Sequence, residues 1–88
     1  MRWVAEIRVT LKPSVNDPQG LSIRNALHTL GYTTVDDVRA GKVITVTLDA
    51  PDRDQAEQLV SQMSDKLLAN PVIEVYAFTL TEAPARVP

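Results

Sequence analysis

Few side chains in this sequence could catalyse a reaction. The chain has no cysteine and a single histidine, His28, which excludes a thiol nucleophile and a cysteine-based zinc site. A Ser–His–Asp arrangement would need Ser14 or Ser22 with Asp17, but the sequence contains no nucleophile elbow. His28 falls near the end of a predicted helix, where the helix dipole favours a positive imidazole. We therefore interpret it as a surface or interface histidine and expect no catalytic residue.

Metal, phosphate and nucleic-acid sites are equally poorly supported. The acidic pairs Asp36-Asp37 and Asp52-x-Asp54 supply too few oxygen ligands for a metal ion. The three glycines lie too far apart to build a phosphate-binding loop. A formal net charge of -2 provides no basic excess for nucleic acid, and no apolar run approaches the roughly 20 residues that span a bilayer. We expect no metal, no cofactor, no nucleic acid and no membrane.

The first half of the chain reads as a strand followed by a helix. Alternating apolar and polar residues predict a strand over 3–12. Apolar residues at helical spacing, with Asp17 as N-cap and Gly31 beyond the C-terminus, predict a helix over about 18–30. Segment 34–49 reads as two short strands joined at Gly41.

The second half repeats the order of helix and strand. Asp52 and Gln55 resemble a capping box, and the helix that they open ends before Pro71. The last strand covers 72–80.

The order strand, helix, strand, strand, helix, strand predicts a ferredoxin-like βαββαβ sandwich of the α+β class. It has a four-stranded antiparallel sheet with two helices on one face, and right-handed crossovers favour strand order 4-1-3-2. The 88 residues form one domain, which we place at 1–80 with a flexible C-terminal tail at 81–88.

The last predicted strand is apolar on both faces. Its two sets are Ile73, Val75 and Ala77 on one face and Tyr76, Phe78 and Leu80 on the other. A strand that is apolar on both faces needs two covers. The helices supply one cover, and the sequence does not decide which face they meet. We expect a second copy of the chain to supply the other cover, with Tyr76, Phe78 and Leu80 as the candidate self-association residues. The alternative is that Tyr76 and Phe78 lie on a partly exposed edge.

Four stretches resemble the PurS family, the small subunits of phosphoribosylformylglycinamidine synthase. They read PSVNDPQG over 13–20, ALHTLGY over 26–32, VDDVRAGK over 35–42 and LLANPVIEVY over 67–76. They stand in the family's order, and the resemblance covers about residues 3–80.

The resemblance implies a structural subunit of a ligase complex (EC 6.3.5.3) in de novo purine biosynthesis, with no catalytic residues of its own. In such complexes a glutaminase subunit releases ammonia. A large synthetase subunit uses ATP and magnesium to add that ammonia to formylglycinamide ribonucleotide. The small subunit is expected to bridge these two partners in the cytoplasm and to support ammonia transfer, as a homodimer or homotetramer without a cofactor.

Five residues in the family-like stretch form our candidate partner surface: Tyr32, Asp37, Arg39, Gly41 and Lys42. They combine both signs of charge with an aromatic ring, and Arg and Tyr are frequent hot-spot residues. The alternative is a solvated hairpin in which Gly41 serves only the turn.

Two other functions fit the predicted fold. The first is a small-molecule-sensing regulatory domain similar to ACT domains, which often bind ligands near a glycine after the first strand. Here that loop reads PSVNDP, and Gly20 falls inside the predicted helix. The second is an enzyme built across a dimer interface, with His28, Asp37, Arg39 and Lys42 lining a shared pocket.

Overall fold

Three antiparallel strands form the sheet that supports the rest of the molecule. In the computed structural model, which describes residues 1–83, β1 (Arg2–Leu11) lies between β2 (Gly41–Asp49) and β3 (Glu74–Glu82). Both neighbours run antiparallel to β1. The fold is therefore α+β with an antiparallel sheet, and both predicted neighbours of the first strand are confirmed.

The alternation in β1 decides which face of the sheet is buried. Its inward side chains, each at most 6% exposed, are Trp3, Ala5, Ile7 and Val9. The register places on the same face Ile44, Val46 and Leu48 of β2 and Tyr76, Phe78 and Leu80 of β3. The core closes where α2 (Arg53–Met63) adds Ala56 and Val60. On the opposite face, Glu6 and Arg8 are exposed.

The helix α2 is fixed to the sheet at its first residue. The Arg53 guanidinium donates to the Leu80 carbonyl oxygen at 2.9 Å and lies 5.6 Å from the centroid of the Trp3 ring. The predicted cap is confirmed, because Asp52 Oδ1 accepts from the Gln55 N–H at 2.8 Å. The helix continues into a π-helical segment, Ser64–Leu68.

The helix α1 (Pro18–Thr29) does not cover the sheet. Its N-cap is Asp17, as predicted, but within residues 1–83 no α1 side chain belongs to the hydrophobic core. Leu21, Ile23 and Leu30 are 50%, 39% and 73% exposed. The radius of gyration is 17.0 Å, against about 12 Å for a compact chain of this length. The prediction of two helices on one face of the sheet is therefore wrong: α1 projects, and α2 alone covers the sheet.

Of the two strands predicted over 34–49, the first, before Gly41, is also absent, so the described residues contain three strands and not four. This segment runs back along α1 and bonds to its side chains. His28 Nε2 donates to the Val35 carbonyl at 2.7 Å, and Arg24 Nε donates to the Asp36 carbonyl at 2.8 Å. Because these carbonyls are taken by α1, the segment follows the helix and not the edge of β2. We call α1 with its return segment, residues 17–40, the arm.

Two predicted boundaries shift as well. Gly41 is the first residue of β2, paired with Thr10, and not the turn of a hairpin. The domain boundary at residue 80 cuts β3, which runs to Glu82, and the Ala83 N–H donates to the Arg2 carbonyl at 2.9 Å. The other residues of the predicted tail, 84–88, lie outside the described residues. Within residues 1–83, no helix has the length and apolar character to cross a bilayer.

We expect Ile7→Ala to lower the free energy of unfolding by about 2–5 kcal/mol, because Ile7 is fully buried and its loss leaves a cavity. The matched control is Val43→Ala on β2, since Val43 is 59% exposed; its effect should stay within about 0.5 kcal/mol. Denaturation in urea at equal protein concentrations measures both. Equal losses would contradict this assignment of the buried face.

Candidate partner surfaces

The five candidate partner residues do not form one cluster. Tyr32, 59% exposed, lies at the tip of the arm. Lys42 lies beyond the base, at the other end of α1, whose 12 residues make a helix about 18 Å long at 1.5 Å per residue. Asp37 and Arg39 line a cavity of about 270 Å³ at the base, together with Leu11. A second cavity of about 260 Å³ beside it is lined by residues that include Gly41 and Lys42. The structure brings four of the five residues to the base of the arm and separates Tyr32 from them.

Arg39 already makes contacts within the chain. Its Nη2 donates to the carbonyls of Lys12 at 3.0 Å and of Val15 at 2.8 Å, which ties the arm to the loop after β1. Guanidinium has five N–H donors in a planar fork. A partner carboxylate would therefore be held by the remaining exposed donors, and the role of Arg39 in an interface stays a prediction.

Asp17 is buried at the base of the arm, where sequence reasoning placed only a helix cap. Its Oδ1 accepts from the Gly20 N–H at 2.9 Å, and its Oδ2 accepts from the Ala40 N–H at 2.7 Å. These two hydrogen bonds, that of Gly20 first, hold the pKa of Asp17 below its usual value. The bond to Ala40 spans 23 residues, so no local spacing in the sequence could have indicated it.

The two other functions are not supported by the arm. The Gly20 N–H already bonds to Asp17, and the Val38 carbonyl occupies the place where a Gly20 side chain would point. A ligand therefore has no access to this glycine, in contrast to an ACT-like site. His28 holds the middle of the arm and lines neither cavity formed by Asp37, Arg39 and Lys42. Within residues 1–83, no group of three or more His, Asp or Glu side chains could hold a metal ion.

The candidate self-association residues face α2. Leu80 is buried, and the stacked rings of Tyr76 and Phe78, 6.5 Å apart, are half-buried against the core. Burial, and next the neighbouring Asp65, raise the pKa of the Tyr76 hydroxyl. These three side chains therefore support the fold of one copy, and their contact with a second copy stays a prediction.

Apolar surface that no part of the described chain covers lies elsewhere. On α1, a helical stripe is formed by Ile23, Ala26, Leu27 and Leu30. On the sheet, the half-buried side chains lie on β2: Ile44, Val46 and Leu48. Because α2 sits over β1 and β3, the β2 side of the inner face lacks a helix. The arm and this uncovered face are features of a protein-binding module.

Comparison with known proteins assigns this module to a family. A family model for phosphoribosylformylglycinamidine (FGAM) synthase, PurS, matches residues 4–82. The chain is 52% identical over 75 residues to the phosphoribosylformylglycinamidine synthase subunit PurS of Synechocystis sp., an alignment that covers 85% of this chain and 75% of that relative.

Solved structures of PurS proteins share the fold of this chain. PurS of Thermus thermophilus is 40% identical, with a TM-score of 0.85 over 96% of this chain and 100% of that chain. A chain in the structure of PurLQS from Thermotoga maritima is 28% identical, with a TM-score of 0.85 over 92% of this chain and 99% of that chain. The chain therefore belongs to the PurS family of FGAM synthase subunits, which act in purine biosynthesis. This confirms the resemblance read from the four sequence stretches.

The contribution of Asp17 to stability should depend on pH with a defined sign. Because the folded-state pKa is lowered, the carboxylate stabilises the fold fully above its unfolded pKa of about 3.9, and this stabilisation is lost as the pH falls through the lower folded value. The difference in unfolding free energy between wild type and Asp17→Asn should therefore be constant above about pH 5 and shrink below about pH 4. Urea denaturation across this range measures it. A difference that does not change with pH would contradict the ionised bridge.

Proposed function

We propose that this chain is the non-catalytic structural subunit that bridges the glutaminase and the ATP-dependent synthetase subunits of FGAM synthase. The observation that carries the proposal is the arm, an ordered element whose apolar and charged side chains the core does not use. The fold shared with a chain of PurLQS supports a place in a complex of several subunits. ATP and magnesium belong to the synthetase, this chain needs no cofactor, and the complex works in the cytoplasm.

Transfer of ammonia explains why such a subunit is useful. Ammonia released into water at neutral pH is mostly protonated and diffuses away, so the two reaction centres must be aligned and shielded from water. A small protein that is held rigidly by hydrogen bonds can fix that alignment without making or breaking a bond. The short contacts of His28 and Arg24 to the return segment supply this rigidity in the arm.

The base of the arm is the proposed contact with the partner subunits. Asp37, Arg39 and Lys42 present both signs of charge around two adjoining cavities, which favours a charged, complementary partner surface. Tyr32 at the tip extends the contact as an exposed aromatic anchor.

We also propose a homo-oligomer, a dimer or a tetramer, in which α1 of one copy covers the β2 side of the sheet of another. The stripe on α1 and the half-buried side chains of β2 are both apolar, and within one copy they do not meet. A ferredoxin-like sheet carries two helices side by side on one face, and in this chain α2 is the one helix on that face. The helix of a second copy has the apolar face that the vacant position needs.

The partner surface is tested by replacing Arg39 and Lys42 together with Ala. We expect glutamine-dependent FGAM synthesis by the reconstituted complex to fall at least about fivefold, since loss of hot-spot contacts costs about 1–2 kcal/mol or more. Ammonia-dependent synthesis by the large subunit should stay unchanged. Lys66→Ala, an exposed lysine on the π-helical segment, is the control. Full glutamine-dependent activity of the double variant would exclude this surface.

The homo-oligomer is tested with Ile23→Asp, which places a carboxylate in the stripe of α1. Because Ile23 is exposed within one copy, the variant should fold, yet a carboxylate buried against a second copy is costly. Sedimentation at micromolar concentration should show a shift toward the 9.7 kDa monomer. Leu67→Asp, at a position 82% exposed, is the control. A wild-type distribution for Ile23→Asp would contradict the exchange of α1.

A further inference from the structure

Three segments of the chain meet at the base of the arm, in a joint that contributes no side chain to the hydrophobic core of residues 1–83. The first is the N-terminal turn of α1, with Asp17 and Gly20. The second is the end of the return segment, residues 38–40. The third is the loop after β1, residues 12–15. One carboxylate links the first two, because Asp17 accepts from the N–H of Gly20 and from that of Ala40.

The segments of this joint are in close contact. The Val38 carbonyl fills the space into which a side chain at position 20 would point, so α1 and the return segment approach as closely as a glycine allows. From the other side, Arg39 donates to the carbonyls of Lys12 and Val15. Residues 38–40 are thus held from two directions.

We propose that Asp17 is a positioning residue for the assembly of FGAM synthase, which holds residues 39–42 in the geometry that a partner subunit recognises. This inference rests on the proposed function, in which Arg39 and Lys42 contact a partner. The bond to the Ala40 N–H lies one residue from Arg39 and two from Lys42, so it sets the backbone from which both side chains extend. A segment that is ordered before binding loses less entropy on association.

The chemistry of the joint requires a carboxylate. Ser and Asn cap a helix about as well as Asp does. Serine has one oxygen, and the amide of asparagine presents an NH₂ donor in place of the second acceptor. Asp17→Ser and Asp17→Asn therefore retain the bond to the Gly20 N–H and lose the bond to the Ala40 N–H. A control with the same chemistry is Asp52→Ser, since among residues 1–83 the Asp52 carboxylate accepts only from its own helix, at Gln55.

The experiment titrates each variant into fixed amounts of the glutaminase and synthetase subunits and follows glutamine-dependent FGAM synthesis. If residues 39–42 of an Asp17 variant adopt the binding geometry a tenth of the time, the half-saturating concentration of that variant rises about tenfold. The maximal rate is unchanged. Hydrogen exchange at the Ala40 amide should become faster in both Asp17 variants, and Asp52→Ser should match wild type in both measurements.

Each result decides between the proposals. If both Asp17 variants titrate like wild type while the Arg39→Ala, Lys42→Ala variant loses activity, Asp17 has no positioning role and the partner surface stands. If the Arg39, Lys42 variant also titrates like wild type, the proposed surface itself is wrong. A maximal rate that stays low at saturating Asp17→Ser, or an equal shift for Asp52→Ser, would overturn positioning in favour of a general loss of structure.

Discussion

The two hydrogen bonds accepted by Asp17 determine the path of the chain between β1 and β2. They join the residue that begins α1 to the residue before β2, so everything between positions 17 and 40 must leave the sheet and return to the same place. A helix of 12 residues and a return segment of similar length satisfy this closure only by lying side by side. The arm is the consequence, and with it the vacancy on the β2 side of the sheet.

That vacancy has an energetic consequence for the isolated chain. Full burial of a large aliphatic side chain contributes about 1.5–3 kcal/mol. Ile44, Val46 and Leu48 are half-buried, so the isolated chain lacks several kcal/mol of stabilisation that their full burial would contribute. This is a large part of the about 5–15 kcal/mol by which domains are stable. The exposed apolar stripe on α1 lacks a comparable amount of stabilisation from burial. A small domain can recover such a deficit by association, because a partner that binds only the folded state stabilises it.

Local patterns in the sequence predicted those elements whose stability is decided by nearby residues. Such patterns predict the buried face of β1, the caps at Asp17 and Asp52, and the order of the strands around β1. The prediction of a strand over 34–39 is wrong because Val35 and Val38 fit a strand as well as a segment packed along α1. The choice between the two depends on carbonyls that accept from His28 and Arg24. The sequence also left open which face of β3 meets α2, since both faces are apolar. The register with Ile7 decides it in favour of Tyr76, Phe78 and Leu80.

The same reasoning explains how far the candidate surface could be predicted. Charge and the family resemblance indicate Arg39 and Lys42, and both lie at the base of the arm. The distance of Tyr32 from them, and the bond from Asp17 to the Ala40 N–H, depend on contacts between residues far apart in sequence.

Those contacts divide the chain into two parts, the sheet with α2 and the arm, which are stabilised by different interactions. The sheet and α2 hold nearly all the buried apolar area, so substitutions there change stability first. The arm is ordered by hydrogen bonds that Arg24, His28 and Arg39 donate and Asp17 accepts, and within residues 1–83 no arm side chain belongs to the core. The proposed role, alignment of two larger proteins, requires a stable base and an ordered projection. In this chain the two are built from separate sets of interactions, so the proposed partner surface lies apart from the side chains that form the core.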